Sequence, residues 1–397
     1  MFLTPDEREM LSGSQGRSSQ KAMQILVALG EIYGARRMIP VKSVQVAGVS
    51  YDNLGEAGLQ FLAELADGGG RVRVPTTLNP AGMDIENWRV LGIPHDFAEA
   101  QYRVLDTFSH MGVMLTCTCT PYLTGNLPKT GEHLAWSESS AVCYANSVLG
   151  AYTNREGGPS ALAAALTGRT PEYGLHLVEK RQPDLTVLVE TRLAGSSDFG
   201  ALGKVIGDRI AVSKTIPYLR GIPSASLEEL KSLCASLATY GGAALFHIEG
   251  LSPEADQLTP PGDEFVVSQA DLEAALHSLS SATAAEVDFV NLGCPHLSLD
   301  EIRRISQLLQ GKRVKKEFWI TTARHTQMWA ERLGYTRVIE AAGAKFAADT
   351  CCVVAPIQGR FKAMATDSAK ACYYASAKNK FKTLILPFDE VVKAAIV

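Results

Sequence analysis

In the second half of the chain, strand-like apolar runs alternate with helical patterns, and this alternation restricts the fold more tightly than any other feature. The runs fall at 185–189, 243–248, 287–292, 318–321, 346–354 and 383–386. Two of the intervening helices are marked at their starts by Ser226-Leu-Glu-Glu229 and Ser298-Leu-Asp-Glu301. Each sets a hydroxyl three residues ahead of a carboxylate, the capping box that satisfies two orphan backbone donors. Strands joined through helices return parallel to one another, because a tight hairpin joins only antiparallel neighbours. Parallel strands bury both faces and need helical layers above and below. The expected class is therefore α/β, with several α/β/α layers and mainly parallel sheets.

The first half carries the same signals less regularly. Thr4-Pro5-Asp6-Glu7 combines an N-cap hydroxyl, a proline at the first helical position and a carboxylate three after the cap. A second helix is expected over 21–29, with Ala22, Ile25, Leu26 and Leu29 on one face. Short β-rich runs at 38–41, 44–46 and 71–74 exit into Gly48-Val49-Ser50-Tyr51 and Thr76-Thr77-Leu78-Asn79-Pro80. Residues 111–174 crowd Cys, Thr, Asn, Ser, Gly and Pro between short apolar runs, as ligand-binding loops do. Gly157-Gly158-Pro159-Ser160 reads as a helix start, either simply well made or open to an anion. The 397 residues suit two or three domains at about 100–200 residues each. No repeat or long linker divides them, and the approximate regions are 1–185, 186–300 and 301–397.

Composition narrows function by exclusion. Lys+Arg 38 against Asp+Glu 42 leaves a net charge of −4, so no broad basic field exists for nucleic acid or anionic lipid. No run approaches the roughly 18 apolar residues of a membrane-spanning helix. The polar, acidic start does not read as a secretory signal, and a cytoplasmic protein is expected. The eight cysteines (117, 119, 143, 234, 294, 351, 352 and 372) then read as thiols of a reducing compartment rather than a disulfide framework. The Gly-rich phosphate-binding motifs, zinc-finger spacing, H-E-x-x-H and G-x-S-x-G are all absent.

In open α/β sheets, ligands gather at the carboxyl ends of strands. Cys294 leaves the 287–292 run just ahead of the Ser298 cap, Cys351 lies late in the 346–354 run, and Cys119 leads into a Thr-Pro-Tyr turn. Cysteines so placed can converge in space, although each alone reads first as a buried apolar thiol. Cys143, Cys234 and Cys372 fall within helical patterns. His296 stays open as a ligand, a base or a capped structural histidine. Glu138, among hydroxyls and apolar residues, is either a solvated turn carboxylate or a site acid.

Several longer strings go beyond generic patterns. They are Thr118-Cys119-Thr120-Pro121-Tyr122, Ala135-Trp136-Ser137-Glu138-Ser139-Ser140, Asn146-Ser147-Val148-Leu149-Gly150 and Thr153-Asn154-Arg155-Glu156-Gly157-Gly158. With Asn291-Leu-Gly-Cys294-Pro-His296 and Asp349-Thr350-Cys351, the chain closely resembles the large subunit of the aconitase X family. The match runs in order from Thr4 to the segment ending at Lys370.

The resemblance implies an aconitase-like fold around a central iron–sulfur site, and a hydro-lyase. Three thiolates hold the cluster in such enzymes, while one open iron polarises the substrate hydroxyl as a Lewis acid. The matching ligands are Cys119, Cys294 and Cys351, with Cys117 and Cys352 as adjacent alternatives. The expected cluster is [4Fe-4S], with [2Fe-2S] or [3Fe-4S] as smaller forms. The implied substrate contacts are Gly48, Val49, Ser50, Asn79, Pro80, Glu138, Ser139 and Lys370. Among them Glu138 and Ser139 are the catalytic pair, with Glu138 as an acid for the leaving hydroxyl. Lys370 supplies a local cation for a small anionic hydroxy acid, despite the net negative charge. Aconitase-like sites are closed by a small swivelling domain, which in this family carries a serine thought to act as base. This chain lacks the length for it, so the resemblance implies a separate small subunit, a heterodimer, and no activity from this chain alone.

Two dehydrations are familiar in the family: (R)-mevalonate 5-phosphate to trans-anhydromevalonate 5-phosphate, and cis-3-hydroxy-L-proline to a pyrroline carboxylate. The second is expected with Ala-Pro-Tyr and Glu-Ser-Asn, where this chain has Thr120-Pro121-Tyr122 and Glu138-Ser139-Ser140. Asn79-Pro80-Ala81-Gly82-Met83-Asp84 and Asn154-Arg155-Glu156-Gly157-Gly158 favour the first, and with it the mevalonate route to isoprenoids. A non-enzymatic iron–sulfur sensor is the competing class, but no basic patch with interleaved aromatics is present for RNA.

Overall fold

Three of the four sheets among the described residues are entirely parallel, as the strand–helix alternation requires. The computed structural model describes residues 1–213 and 215–396. The largest sheet has five strands in the spatial order Lys345–Ala348, Glu317–Thr322, Phe289–Leu297, Ala363–Thr366 and Lys382–Ile385. A four-stranded sheet orders His247–Ile248, Pro217–Arg220, Leu185–Val189 and Glu264–Val267. A three-stranded sheet orders Thr76–Leu78, Val44–Val46 and Ala135–Trp136, and Met38–Pro40 pairs antiparallel with Arg169–Pro171. The strand carrying Cys294 thus belongs to the C-terminal sheet, although the sequence boundary at 300/301 groups it with the middle region.

Helices supply the covering layers. The capping boxes at Thr4, Ser226 and Ser298 all form, starting Pro5–Ser12, Leu227–Tyr240 and Leu299–Leu309. Helix Gly158–Thr167 starts at the Gly-Gly-Pro segment with Pro159 in its first turn. Helices Ser196–Ile210 and Leu227–Tyr240 lie in close contact. A Cβ on Gly203 would stand 2.6 Å from the Ser236 Cβ, so that glycine serves helix packing. Apolar cores fill the space beneath each large sheet, with Val44, Leu78 and Leu162 in one, Val187, Phe199 and Leu233 in another, and Val290, Ile302 and Ile320 in the third. No helix among the described residues is long and apolar enough to cross a membrane.

Three expected strands are displaced or shortened, each for a local reason. The 71–74 run is not a strand, because Val72 N–H bonds Met111 O and Arg73 N–H bonds Ala165 O, a loop and a helix end. The strand forms after Pro75, at Thr76–Leu78. The 243–248 run pairs only at His247–Ile248, since Phe246 N–H is taken by the Ser147 hydroxyl. The 346–354 run ends at Ala348, because Asp349 turns to φ +63° and binds Arg324. Cys351 therefore lies in a loop beyond the strand rather than late within it. Strands Pro217–Arg220, Glu264–Val267 and Ala363–Thr366 have no counterpart in the apolar runs. Two are only four residues of mixed polarity, and the third is Ala-Met-Ala-Thr.

Candidate active site

The three strands of the small parallel sheet end at one edge, and their exits carry most of the expected substrate contacts. Asn79 N–H donates to Val46 O (2.9 Å), Ser137 N–H to Gln45 O (3.0 Å) and Ala47 N–H to the Ser137 hydroxyl (2.9 Å). These bonds hold segments 47–50, 79–80 and 137–139 side by side. Gly48 takes φ +79°, with no atom within 4 Å of where a Cβ would stand, so the turn leaves room above it. Ser50 occupies the N-cap position of helix Tyr51–Asp67. Its hydroxyl turns to Val354 O (3.1 Å), tying this edge to the loop of Cys351.

Glu138 is buried, which removes the solvated-turn alternative. It is the N-cap of helix Ser139–Ser147, and its carboxylate accepts from Lys370 Nζ (2.5 Å), Asn79 Nδ2 (2.8 Å), Ser140 N–H (3.4 Å) and the Ser140 hydroxyl (2.9 Å). Burial pushes this carboxyl up, but the Lys370 ammonium and the hydrogen bonds outweigh it and hold it well below the ordinary carboxylate range. Lys370 is correspondingly held protonated, with the Glu138 charge outweighing its burial. In this ion-paired arrangement Glu138 is ionised, whereas the expected acid role needs its protonated form.

Cys119, Cys294 and Cys351 surround the same lysine. Each thiol feels Lys370; Cys294 also feels both other sulfurs, and Cys119 feels Cys351. The three are 7–8% exposed, as are Asn79, Glu138, Ser139 and Lys370, whereas Cys117, Cys143 and Cys234 are at 0%. Cys352 donates to Asn291 Oδ1 (3.1 Å) and neighbours Cys351, Cys294 and Cys372. Cys117 packs by Ala81 and Asp349.

The donor set suits an iron–sulfur cluster. Burial raises all three thiol pKa values, that of Cys119 to about 12, so a bound cation is needed to make them thiolates. N–H and O–H groups already point at the sulfurs: His296 N–H at Cys119 (3.2 Å), Val353 and Val354 N–H at Cys351, and the Ser368 hydroxyl at Cys294. Hydrogen bonds to sulfur tune such clusters. Among the described residues these cysteines do not form a set with ligand atoms all within 4.8 Å, as one ion would require. A multi-iron cluster sets its ligands further apart. Asn79 Oδ1, Asn291 Nδ2 and Thr350 Oγ1 are buried without a partner among the described residues, and all three belong to the segments around the cysteines.

Two supporting groups were not singled out in the sequence. Arg324 binds Asp84 Oδ1 (2.6 Å), Asp349 Oδ2 (2.5 Å) and Glu86 (3.1 Å), and Ala81 N–H donates to Asp349 O (2.8 Å). This clamp fixes the Asn79–Asp84 segment against the Cys351 loop. Ser368 caps helix Ala369–Tyr374 and so orients Lys370; its cap position ahead of Ala369-Lys370 was the available clue. His296 is completely buried with both ring nitrogens hydrogen-bonded, which removes the ligand and base alternatives. Burial holds its pKa down to about 4, so the ring is neutral.

Comparison with known proteins agrees along the chain. Family models described as Aconitase X first domain, second domain and third domain match residues 1–179, 183–277 and 287–397. The phosphomevalonate dehydratase large subunit of Methanothermobacter thermautotrophicus is 49% identical over 377 residues, covering 94% of each chain. That of Methanocaldococcus jannaschii is 43% identical over 404 residues, covering 99% of this chain and 100% of the relative. The cis-3-hydroxy-L-proline dehydratase of Hypocrea jecorina is more distant, at 35% identity, and this chain spans 65% of its length. The crystal structure of Thermococcus kodakaraensis aconitase X (holo-form) superposes over 100% of both chains with a TM-score of 0.93 at 43% identity.

Proposed function

This chain belongs to the aconitase X family, and from that premise we propose that it is the large subunit of a dehydratase removing water from (R)-mevalonate 5-phosphate. The product is trans-anhydromevalonate 5-phosphate. The observation that carries the reading is the buried Lys370–Glu138 pair, joined by Asn79 and acting on Cys119, Cys294 and Cys351 together. Relatives named for this activity match at higher identity than those named for cis-3-hydroxy-L-proline, which supports the choice of substrate.

Cys119, Cys294 and Cys351 would hold a [4Fe-4S] cluster. When bound, it supplies a Lewis-acidic iron that makes hydroxide a better leaving group. The chain's own groups bind and orient. Lys370 offsets the negative charge of the substrate, and Asn79 Oδ1 is free to accept from its hydroxyl. The backbone at Gly48, Val49, Ser50 and Pro80 shapes the wall, and Ser139 opens a helix whose first N–H groups favour an anion. Glu138 keeps Lys370 in place and carries no proton to give. The proton acceptor is assigned to a serine on a separate small subunit. That assignment fits relatives named as large subunits, and the hydroxyproline dehydratase of which this chain spans only 65%. The enzyme is assigned to the cytoplasm, where thiols stay reduced.

The test is anaerobic co-expression with the small subunit, followed by incubation with each hydroxy acid and detection of the alkene by NMR. The phosphorylated substrate should be dehydrated only when both subunits are present. Dehydration of cis-3-hydroxy-L-proline with the phosphorylated acid untouched would overturn the substrate assignment.

A further inference from the structure

The protons around His296 can be assigned from one end. Its Nε2 lies 2.9 Å from Thr350 O, and a carbonyl only accepts, so Nε2 carries the ring proton. Its Nδ1 lies 3.0 Å from the Thr118 hydroxyl. The Thr118 oxygen in turn accepts from Thr120 N–H (3.2 Å) and lies 3.1 Å from the Thr120 hydroxyl. On the backbone side, His296 N–H donates to Cys119 Sγ (3.2 Å) and its carbonyl accepts from the buried Lys231 Nζ (3.0 Å). One residue of the Cys294 strand therefore touches both other cysteine segments. It meets Thr118 and Cys119 directly, and Thr350 just before Cys351.

We propose that His296 is a positioning residue that braces the three cysteine segments, setting the spacing of their sulfurs before iron arrives. The inference rests on the reading of Cys119, Cys294 and Cys351 as cluster ligands. Its basis is that the two nitrogens of a single buried ring bond to segments 178 and 54 residues away in sequence, while the backbone N–H of the same residue bonds Cys119 Sγ. Groups that orient ligands from outside commonly change metal retention by about 10- to 100-fold when removed.

The test uses the full chain with its small subunit, prepared anaerobically and loaded with ferrous iron and sulfide. Wild type, His296→Leu, His296→Gln and Thr118→Val are compared for bound iron, for the rate at which the visible absorbance disappears in EDTA, and for apo-protein far-UV circular dichroism. His296→Leu should keep its circular dichroism and lose the cluster at least about 10-fold faster. His296→Gln, whose amide N–H reaches the Nε2 position, should recover part of that loss, and Thr118→Val should fall between Leu and wild type. A purely structural role would lower apo-protein stability and leave cluster release unchanged. Wild-type release from His296→Leu overturns the proposal. If that variant does not fold, wild-type release from Thr118→Val overturns it instead. Wild-type protein that takes up no iron overturns the ligand reading itself, a failure distinguishable from a loss confined to the His296 variants.

Discussion

Lys370 Nζ donates to Glu138 Oε1 at 2.5 Å, joining residues that stand 232 apart in the sequence and are both nine-tenths buried. The pair occupies the junction between the substrate segments and the three cysteines. Breaking one side of a buried pair leaves an uncompensated charge, which costs about 3–5 kcal/mol. Lys370→Met should therefore lower the unfolding free energy by about that amount and abolish dehydration. Lys370→Met with Glu138→Gln should regain much of the stability and none of the activity. Chemical denaturation of the four proteins of this cycle measures it; equal stability of the single and double variants would contradict the pairing.

The cysteines should divide into two groups. Cys119→Ser, Cys294→Ser and Cys351→Ser should each lose most of the bound iron and the brown colour. Cys143→Ala, Cys234→Ala and Cys372→Ala should keep both, because all three are buried within helices and none is among the expected ligands. Cys352→Ala should also keep its iron, since that thiol is engaged by Asn291. Iron analysis after anaerobic purification decides, and full iron in all three serine variants would refute the ligand set.

Arg324 separates two buried carboxylates, Asp84 and Asp349, from mutual repulsion. Arg324→Gln should destabilise the protein by about 3–5 kcal/mol, through the two charges left without a counter-ion. Adding Asp84→Asn should restore part of this. Thermal unfolding of the apo-protein reads the effect without reference to the cluster, and an unchanged midpoint in Arg324→Gln would rule out the clamp.

His176 predicts a pH dependence remote from the active site. Its Nδ1 lies 3.0 Å from His133 Nδ1. Burial, reinforced by His133 and Arg181, lowers its pKa from 6.5 to about 3. The unfolded chain then binds one more proton than the folded one between those values. Stability is unaffected by this group above pH 6.5, falls as the pH drops below it by up to about 1.4 kcal/mol per unit, and levels off near pH 3. His176→Asn should show a shallower acid slope than wild type in urea titrations from pH 7 to 5. Parallel slopes would exclude the burial of a neutral histidine.

The parallel α/β class, the capped helix starts and the runs that become strands at Leu185–Val189 and Glu317–Thr322 were present in the sequence. Caps and apolar periodicity are written in neighbouring residues, where local backbone chemistry acts. The family strings around Cys119, Cys294 and Cys351 also singled out those three thiols, although spacing alone could not separate them from Cys117 and Cys352. Strand limits were less readable, because they depend on partners elsewhere. Asp349 ends its strand by turning to Arg324, and Phe246 leaves pairing for the Ser147 hydroxyl.

The ionisation of Glu138, the brace at His296 and the Arg324 clamp came only with the folded chain. Each depends on groups well separated in sequence, by 232 residues for Glu138 and Lys370, 54 for His296 and Thr350, and 240 for Asp84 and Arg324. A carboxyl's charge is set by the cation and donors around it, and a histidine's tautomer by the carbonyl it meets. Residue order specifies which side chains are available; their proximity in a low-dielectric interior decides what each one does.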